Sequence, residues 1–194
     1  MEELDFQALL DRFNAQGFEP WERVILGHFG TVQTLLSLIF NAPVVVKLID
    51  QTEDDGVIIR QTHLVAGQYA VCYATSHIGR SQNRADIIGE VLAGKLGLGQ
   101  IVAGLGMVNR RDLTNVGRND YQFWRRYFLL GPGLRLEITE VFPREPFEAV
   151  GKSWSQRFAR QGIKKINDQA GDDLAFRNLV MAHFFPNYDE KGAT

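Results

Sequence analysis

Apolar residues in the first forty positions recur at helical spacing. Leu4, Phe6, Leu9, Leu10 and Phe13 share a face and stop at Gly17, and Thr31 to Phe40 predicts a second helix ended by Asn41-Ala42-Pro43. From Pro43 the pattern changes to β-rich runs: PVVVKLID (43–50), GVIIRQTHLV (56–65) and QYAVCYATSHI (68–78), divided by a turn at EDDG and another around Gly67. Turns this short imply antiparallel pairing.

Helical spacing returns in RADIIGEVLAGKL (84–96) through Ile88, Val91, Leu92 and Leu96, and a glycine-rich segment follows from Gly97 to Gly106. Two further strands read clearly, FWRRYFLL (123–130) and LRLEITEVF (134–142), joined by the turn Gly131-Pro132-Gly133. Beyond Pro143 the chain is helical again, with Phe147, Val150, Trp154 and Phe158 on one face and a last helix from about Asp172 to His183. Strands bracketed by helices, without βαβ alternation, predict an α+β fold in which helices cover an antiparallel sheet.

The 194 residues are 45% hydrophobic, enough for one sizeable core, and no composition break divides them, so a single domain over 1–194 is expected. Lys plus Arg total 21 against 23 Asp plus Glu, a formal net charge of -2 without long blocks of either sign, which argues against a nucleic-acid partner. The opening MEELDFQALLDRF carries acids where a secretory signal carries basic residues, so neither signal nor transit peptide is expected. The longest apolar stretch, Val32 to Val46, is broken by Gln33, Asn41 and Pro43 and is too short for membrane insertion. A single cysteine, Cys72, excludes an intrachain disulfide and a cysteine-cluster metal site, and suits the cytoplasm.

Some apparent motifs dissolve on inspection. Gly89 to Lys95 matches the start of a phosphate-binding loop, but Leu96 stands where Ser or Thr must hold magnesium, and the run sits inside a helical pattern. His28, His63, His77 and His183 form no zinc-binding spacing. There is no Gly-x-Ser-x-Gly elbow, and Cys72 lies mid-strand among apolar neighbours, where a structural thiol is expected rather than a nucleophile.

One constellation survives. Alternation puts Leu136, Ile138, Glu140 and Phe142 on one face of their strand, so a carboxylate shares the more apolar side. A carboxylate stripped of water needs a partner, and desolvation moves such groups toward the range useful for proton transfer. Ile58, Arg60, Thr62 and Leu64 likewise share a face, and a guanidinium there can pair with a buried carboxylate or grip a substrate's. The plain alternatives are a salt-bridged structural Glu140 or a strand end that reaches solvent, and for Arg60 an ion pair with Glu140 without a ligand or a place on the solvent side of the sheet. Together the residues describe a small pocket over an antiparallel sheet, suited to a compact organic anion.

Gly117-Arg118-Asn119-Asp120, Phe123-Trp124-Arg125-Arg126 and Leu136 to Pro143 resemble, in letters and spacing, the C-terminal signature of the chorismate lyase family. Ile59-Arg60-Gln61 is similar to that family's arginine strand, Gly30 to Leu35 to its cavity-lining helix opening, and Gly97-Leu98-Gly99 to its lid. The likeness covers roughly residues 25 to 145. It implies about six antiparallel strands with helical flaps over an enclosed site, and no cofactor or metal. It puts Glu140 on the catalytic glutamate, Arg60 on a carboxylate-binding arginine, and Val32, Leu98 and Gly99 against the ligand. The family's second site arginine falls on Ala74, leaving His77 and Arg80 as the nearby candidates for its place.

The reaction implied converts chorismate to 4-hydroxybenzoate and pyruvate, supplying quinone head groups. Arg60 would fix a carboxylate while Glu140 serves as acid or base at the departing ether. The competing expectation is a non-catalytic small-molecule sensor of the same fold. Such domains usually follow a basic helix-turn-helix, which the residues before the first strand do not resemble.

Overall fold

The computed structural model describes residues 6–160, with side chains from 7 to 152. By contacts the chain divides into two compact units, Met1–Lys152 and Ser153–Thr194, and the first holds every strand described below. The last helix expected near Asp172 to His183 lies outside the described residues, as do the side chains of Trp154 and Phe158 and the C-terminal part of the expected single domain.

Three helices open the chain, α1 (Phe6–Ala15), α2 (Pro20–Gly27) and α3 (Val32–Phe40). The first and third were expected. The second was not, being only eight residues long. It is set locally by Pro20 at its first position and by the Glu22 carboxylate, which accepts from the Glu19 N–H at 2.7 Å. Asn41, at φ 48°, takes the left-handed conformation that ends α3.

One antiparallel sheet follows, built from β1 (Val44–Asp54), β2 (Val57–Ala66), β3 (Tyr69–Gly79), β4 (Arg110–Arg118), β5 (Gln122–Gly131) and β6 (Leu134–Pro143). The strand order is β1-β2-β3-β6-β5-β4, so two hairpin-built halves meet where β3 pairs with β6. The expected α+β class with six antiparallel strands is the one observed. Between β1 and β2, Asp55 and Gly56 both have positive φ, 44° and 72°, as a two-residue type I′ turn requires. Between β5 and β6, Pro132 precedes Gly133 at φ 64°, the residue order of a type II turn.

The remaining described helices are α4 (Ala85–Ala93), α5 (Leu98–Gly104) and α6 (Arg144–Arg160). The expected glycine-rich connection thus contains a helix. Gln100 ties its start by accepting from the Gly97 N–H at 2.9 Å, and Ile101 and Val102 are buried.

Cross-strand register sorts the covered face of the sheet into rows. Ile58, Ile78, Leu136 and Leu129 form one row and join Ile87, Val91 and Ile101 in a cluster beneath α4 and α5. Phe123 and Phe142 lie at the other end, stacked with ring centroids 5.0 Å apart, and join Phe13, Phe18, Ile25, Leu36 and Phe147 in a second cluster. Burial of such side chains supplies about 1.5–3 kcal/mol each. Two rows between the clusters are not purely apolar: Arg60, Ser76, Ile138, Tyr127, and then Thr62, Ala74, Glu140, Arg125.

Candidate functional site

Glu140 is 4% exposed and Arg125 wholly buried. They face each other across β5 and β6, where Arg125 Nε donates to Glu140 Oε2 at 2.6 Å. The second carboxylate oxygen, Oε1, accepts from the Tyr127 hydroxyl at 3.1 Å. Arg125 Nη1 donates in turn to the carbonyls of Ile25 and Leu26, both at 2.9 Å, and of His28 at 3.1 Å. Those carbonyls end α2, where the helix dipole is negative and favours a cation. Desolvation of Glu140 is therefore offset by a charge-assisted bond, and Arg125 fixes the α2 terminus to the sheet.

Burial alone would lower the Arg125 pKa, but the Glu140 carboxylate and the Tyr127 oxygen outweigh it, so the net shift is upward. Burial, reinforced by the Glu140 charge, pushes the Tyr127 phenol well up and keeps it a proton donor. The same two causes push the buried Cys72 thiol well up, consistent with a structural cysteine. His28 is held below its usual value by burial and then by Arg125 and Arg111, and its Nε2 is buried without a hydrogen-bond partner.

A cavity of about 250 Å³ opens over this part of the sheet. Val32 from α3 and Leu98 and Gly99 at the start of α5 line it, and Glu140, Tyr127 and Ser76 contribute from the sheet. Thr31 and Gly99 meet closely, for a Cβ on Gly99 would lie 3.2 Å from Thr31 Cγ2. The two helix starts thus close on each other beside the cavity.

Arg60 is where alternation puts it, 1% exposed and on the covered face, but it does not pair with Glu140. Its Nη2 donates to the Leu96 carbonyl at 2.6 Å, while Nε and Nη1 are buried without partners. It does not itself line the cavity, though its register partner Ser76 and Gly97 and Leu98, next to the Leu96 carbonyl it holds, do. Burial lowers its pKa. A buried guanidinium with idle donors is one that an incoming anion would satisfy.

His77 and Arg80 are not brought to this cavity. His77 is exposed on the opposite face of the sheet, beside a groove that also includes Glu137 and Arg135, and Arg80 forms an exposed ion pair with Glu53 at 2.7 Å. Ala74 does line the cavity, with a methyl group where a long side chain would fill it. The Gly89 to Lys95 run lies in α4 and just after it rather than between a strand and a helix start, so it makes no phosphate cradle.

Arg125, Tyr127 and Arg111 carry functional geometry that the residue patterns did not single out. For the first two a signal existed. A two-residue turn at Pro132-Gly133 pairs residues symmetrically about itself, which sets Arg125 opposite Glu140 and Tyr127 opposite Ile138. For Arg111 there was none, because β4 did not read as a strand. Among the described residues no three His, Cys, Asp or Glu side chains are grouped to hold a metal ion. None of the described helices is long and apolar enough to cross a membrane.

Fold and site together define an antiparallel α+β protein with a cationic, carboxylate-bearing cavity on the helix-covered face of its sheet. Comparison with known families and with characterised proteins finds no family model and no curated protein that matches the chain.

Proposed function

We propose that the protein is a chorismate lyase, eliminating pyruvate from chorismate to leave 4-hydroxybenzoate. The observation that carries this reading is a buried carboxylate, Glu140, lining a small cavity beside guanidinium groups with idle donors. The resemblance of the strands bearing Glu140 and Arg60 to the lyase family supports it.

In the reaction the ring C–O bond to the enolpyruvyl group breaks, and the neighbouring ring carbon that carries the hydroxyl loses its proton. The released enolpyruvate gains a proton at its methylene carbon to become pyruvate. The ring becomes aromatic, so the chain has to hold one conformation and manage one proton rather than supply a strong driving force. Glu140 suits the proton-handling role. A carboxylate has about four lone-pair sites, so the bonds from Arg125 and Tyr127 leave acceptor capacity toward the cavity. Arg60 suits the ring carboxylate, which substrate and aromatic product share, through the Nε and Nη1 donors that no protein group uses. Apolar walls from Val32, Leu98 and Ile138 suit a site that limits water at the breaking bond.

The test is incubation of purified protein with chorismate, without added metal, following pyruvate and 4-hydroxybenzoate together. Equimolar release of the two is expected. Stoichiometric binding of 4-hydroxybenzoate without pyruvate release would instead favour a sensor.

A further inference from the structure

Two guanidinium groups stand over the Tyr127 ring, and only one of them has a carboxylate. Arg125 lies 5.1 Å from the ring centroid and holds Glu140. Arg111, on the edge strand β4, lies 4.4 Å above the same centroid and lines the cavity. Among the described residues Arg111 is the one cationic side chain at the cavity wall, and none of the ion pairs includes it.

The group is held ready in position. Nη1 donates to the carbonyl of His28 and Nη2 to that of Gly30 at 3.2 Å, while Nε is buried without a partner. A guanidinium has five N–H donors, so two bonds to neutral carbonyls fix its plane and leave most of its donors free, with the Glu140 charge acting on it only from outside ion-pair distance. Burial and the nearby Arg125 charge both lower its pKa, the mark of a cation that gains when an anion arrives.

Its place relative to Arg60 is informative. The order β2-β3-β6-β5-β4 sets the two arginines four strand spacings apart, about 19 Å between backbones, with both side chains on the covered face and Glu140 on β6 between them. A ligand with one carboxylate engages one end of this array. A ligand with two, flanking the bond that Glu140 acts on, engages both.

We propose that Arg111 binds the second carboxylate of a dianionic ligand, the one borne on the ether side chain, and so sets the preference of this cavity for aryl or cyclohexadienyl dicarboxylates over monocarboxylates. The inference rests on the lyase reading for which carboxylate lies at which end.

The test uses two stable ligands that bear one and two carboxylates, 4-hydroxybenzoate and 3-(carboxymethoxy)benzoate, titrated calorimetrically into wild type, Arg111→Ala and Arg111→Lys. Wild type should favour the dicarboxylate. Arg111→Ala should weaken it by on the order of 30-fold while leaving 4-hydroxybenzoate within about twofold, and Arg111→Lys should restore part of the loss, since charge without the planar fork is retained. For turnover, KM for chorismate should rise more than kcat falls. A residue that only pins the loop at His28 and Gly30 would weaken both ligands alike, and that result overturns the proposal, as does a variant that binds both normally. If the dicarboxylate preference and its loss are seen but wild type releases no pyruvate, the lyase reading fails while Arg111 keeps its role. If wild type binds neither ligand, both fall.

Discussion

Replacing Glu140 with Gln removes a charge while keeping the side chain's shape, and so tests stability and chemistry separately. The carboxylate is 4% exposed, its partner Arg125 is fully buried, and their contact is 2.6 Å, so little solvent screens the pair. Removing one member of a buried ion pair costs about 3–5 kcal/mol, chiefly because the other is left uncompensated. Glutamine should fall at the lower end. Its carbonyl oxygen can still accept from Arg125 Nε, and the Tyr127 hydroxyl, which now donates to Oε1, can rotate to accept from the new amide. We therefore expect a loss of about 3 kcal/mol, which a domain stable by about 5–15 kcal/mol survives folded. Turnover should fall by at least about 100-fold, the low end of what general acid–base catalysis contributes. Urea denaturation followed by tryptophan fluorescence measures the first quantity, and a lactate dehydrogenase-coupled pyruvate assay the second. An unchanged denaturation midpoint would refute the buried ion pair, and pyruvate release near the wild-type rate would refute the role of Glu140.

Arg60→Ala should weaken both chorismate and 4-hydroxybenzoate by on the order of 100-fold or more, as loss of a desolvated arginine–carboxylate pair costs several kcal/mol; equal product affinity in calorimetry would show that Arg60 never meets the ligand. His28 has a folded pKa below its unfolded value near 6.5, so the unfolded chain takes up the proton first. Stability should therefore decline as pH falls below about 6.5, and His28→Asn should flatten that decline in denaturant titrations across pH; an unchanged slope would place its imidazole in a different environment. If α3 and the start of α5 must part to free the product, rapid-mixing experiments should show a burst of 4-hydroxybenzoate close to the enzyme concentration before a slower steady rate. A linear course from the first turnover would mean an open site.

Where turn chemistry and alternation agree, the residues are enough to locate an element. β2, β3, β5 and β6 read at once, because each half-buried strand alternates and the turns at Asp55-Gly56 and Pro132-Gly133 demand hairpins. β4 was illegible for a physical reason. Its register shifts between Leu113 and Asn115, so the inward positions Arg111, Leu113 and Val116 break the period of two, and two apolar residues three apart do not distinguish a strand from a helix turn. α5 was hidden by its glycines, and α2 by its length.

The placing of Glu140 and Arg60 on the covered face is a property of the chain itself, since the side-chain period of a strand is two and each has apolar neighbours at that spacing. Their partners were decided elsewhere. Arg60 turned to the Leu96 carbonyl, while Glu140 took Arg125, which the hairpin sets directly opposite it. Arg111 reached the cavity because β4 closes the sheet beside β5 and the loop after α2 supplies carbonyls that hold its guanidinium over Tyr127. His77 and Arg80, near Ala74 in the chain, were carried away from the cavity by strand parity and by the ion pair with Glu53. Local sequence sets which way each side chain points, because that depends on one strand. Which partners meet depends on hairpin register for Glu140 and Arg125, and on strand order and distant loops for Arg60 and Arg111, and the distant contacts form only when the two apolar clusters pack on either side of the polar rows.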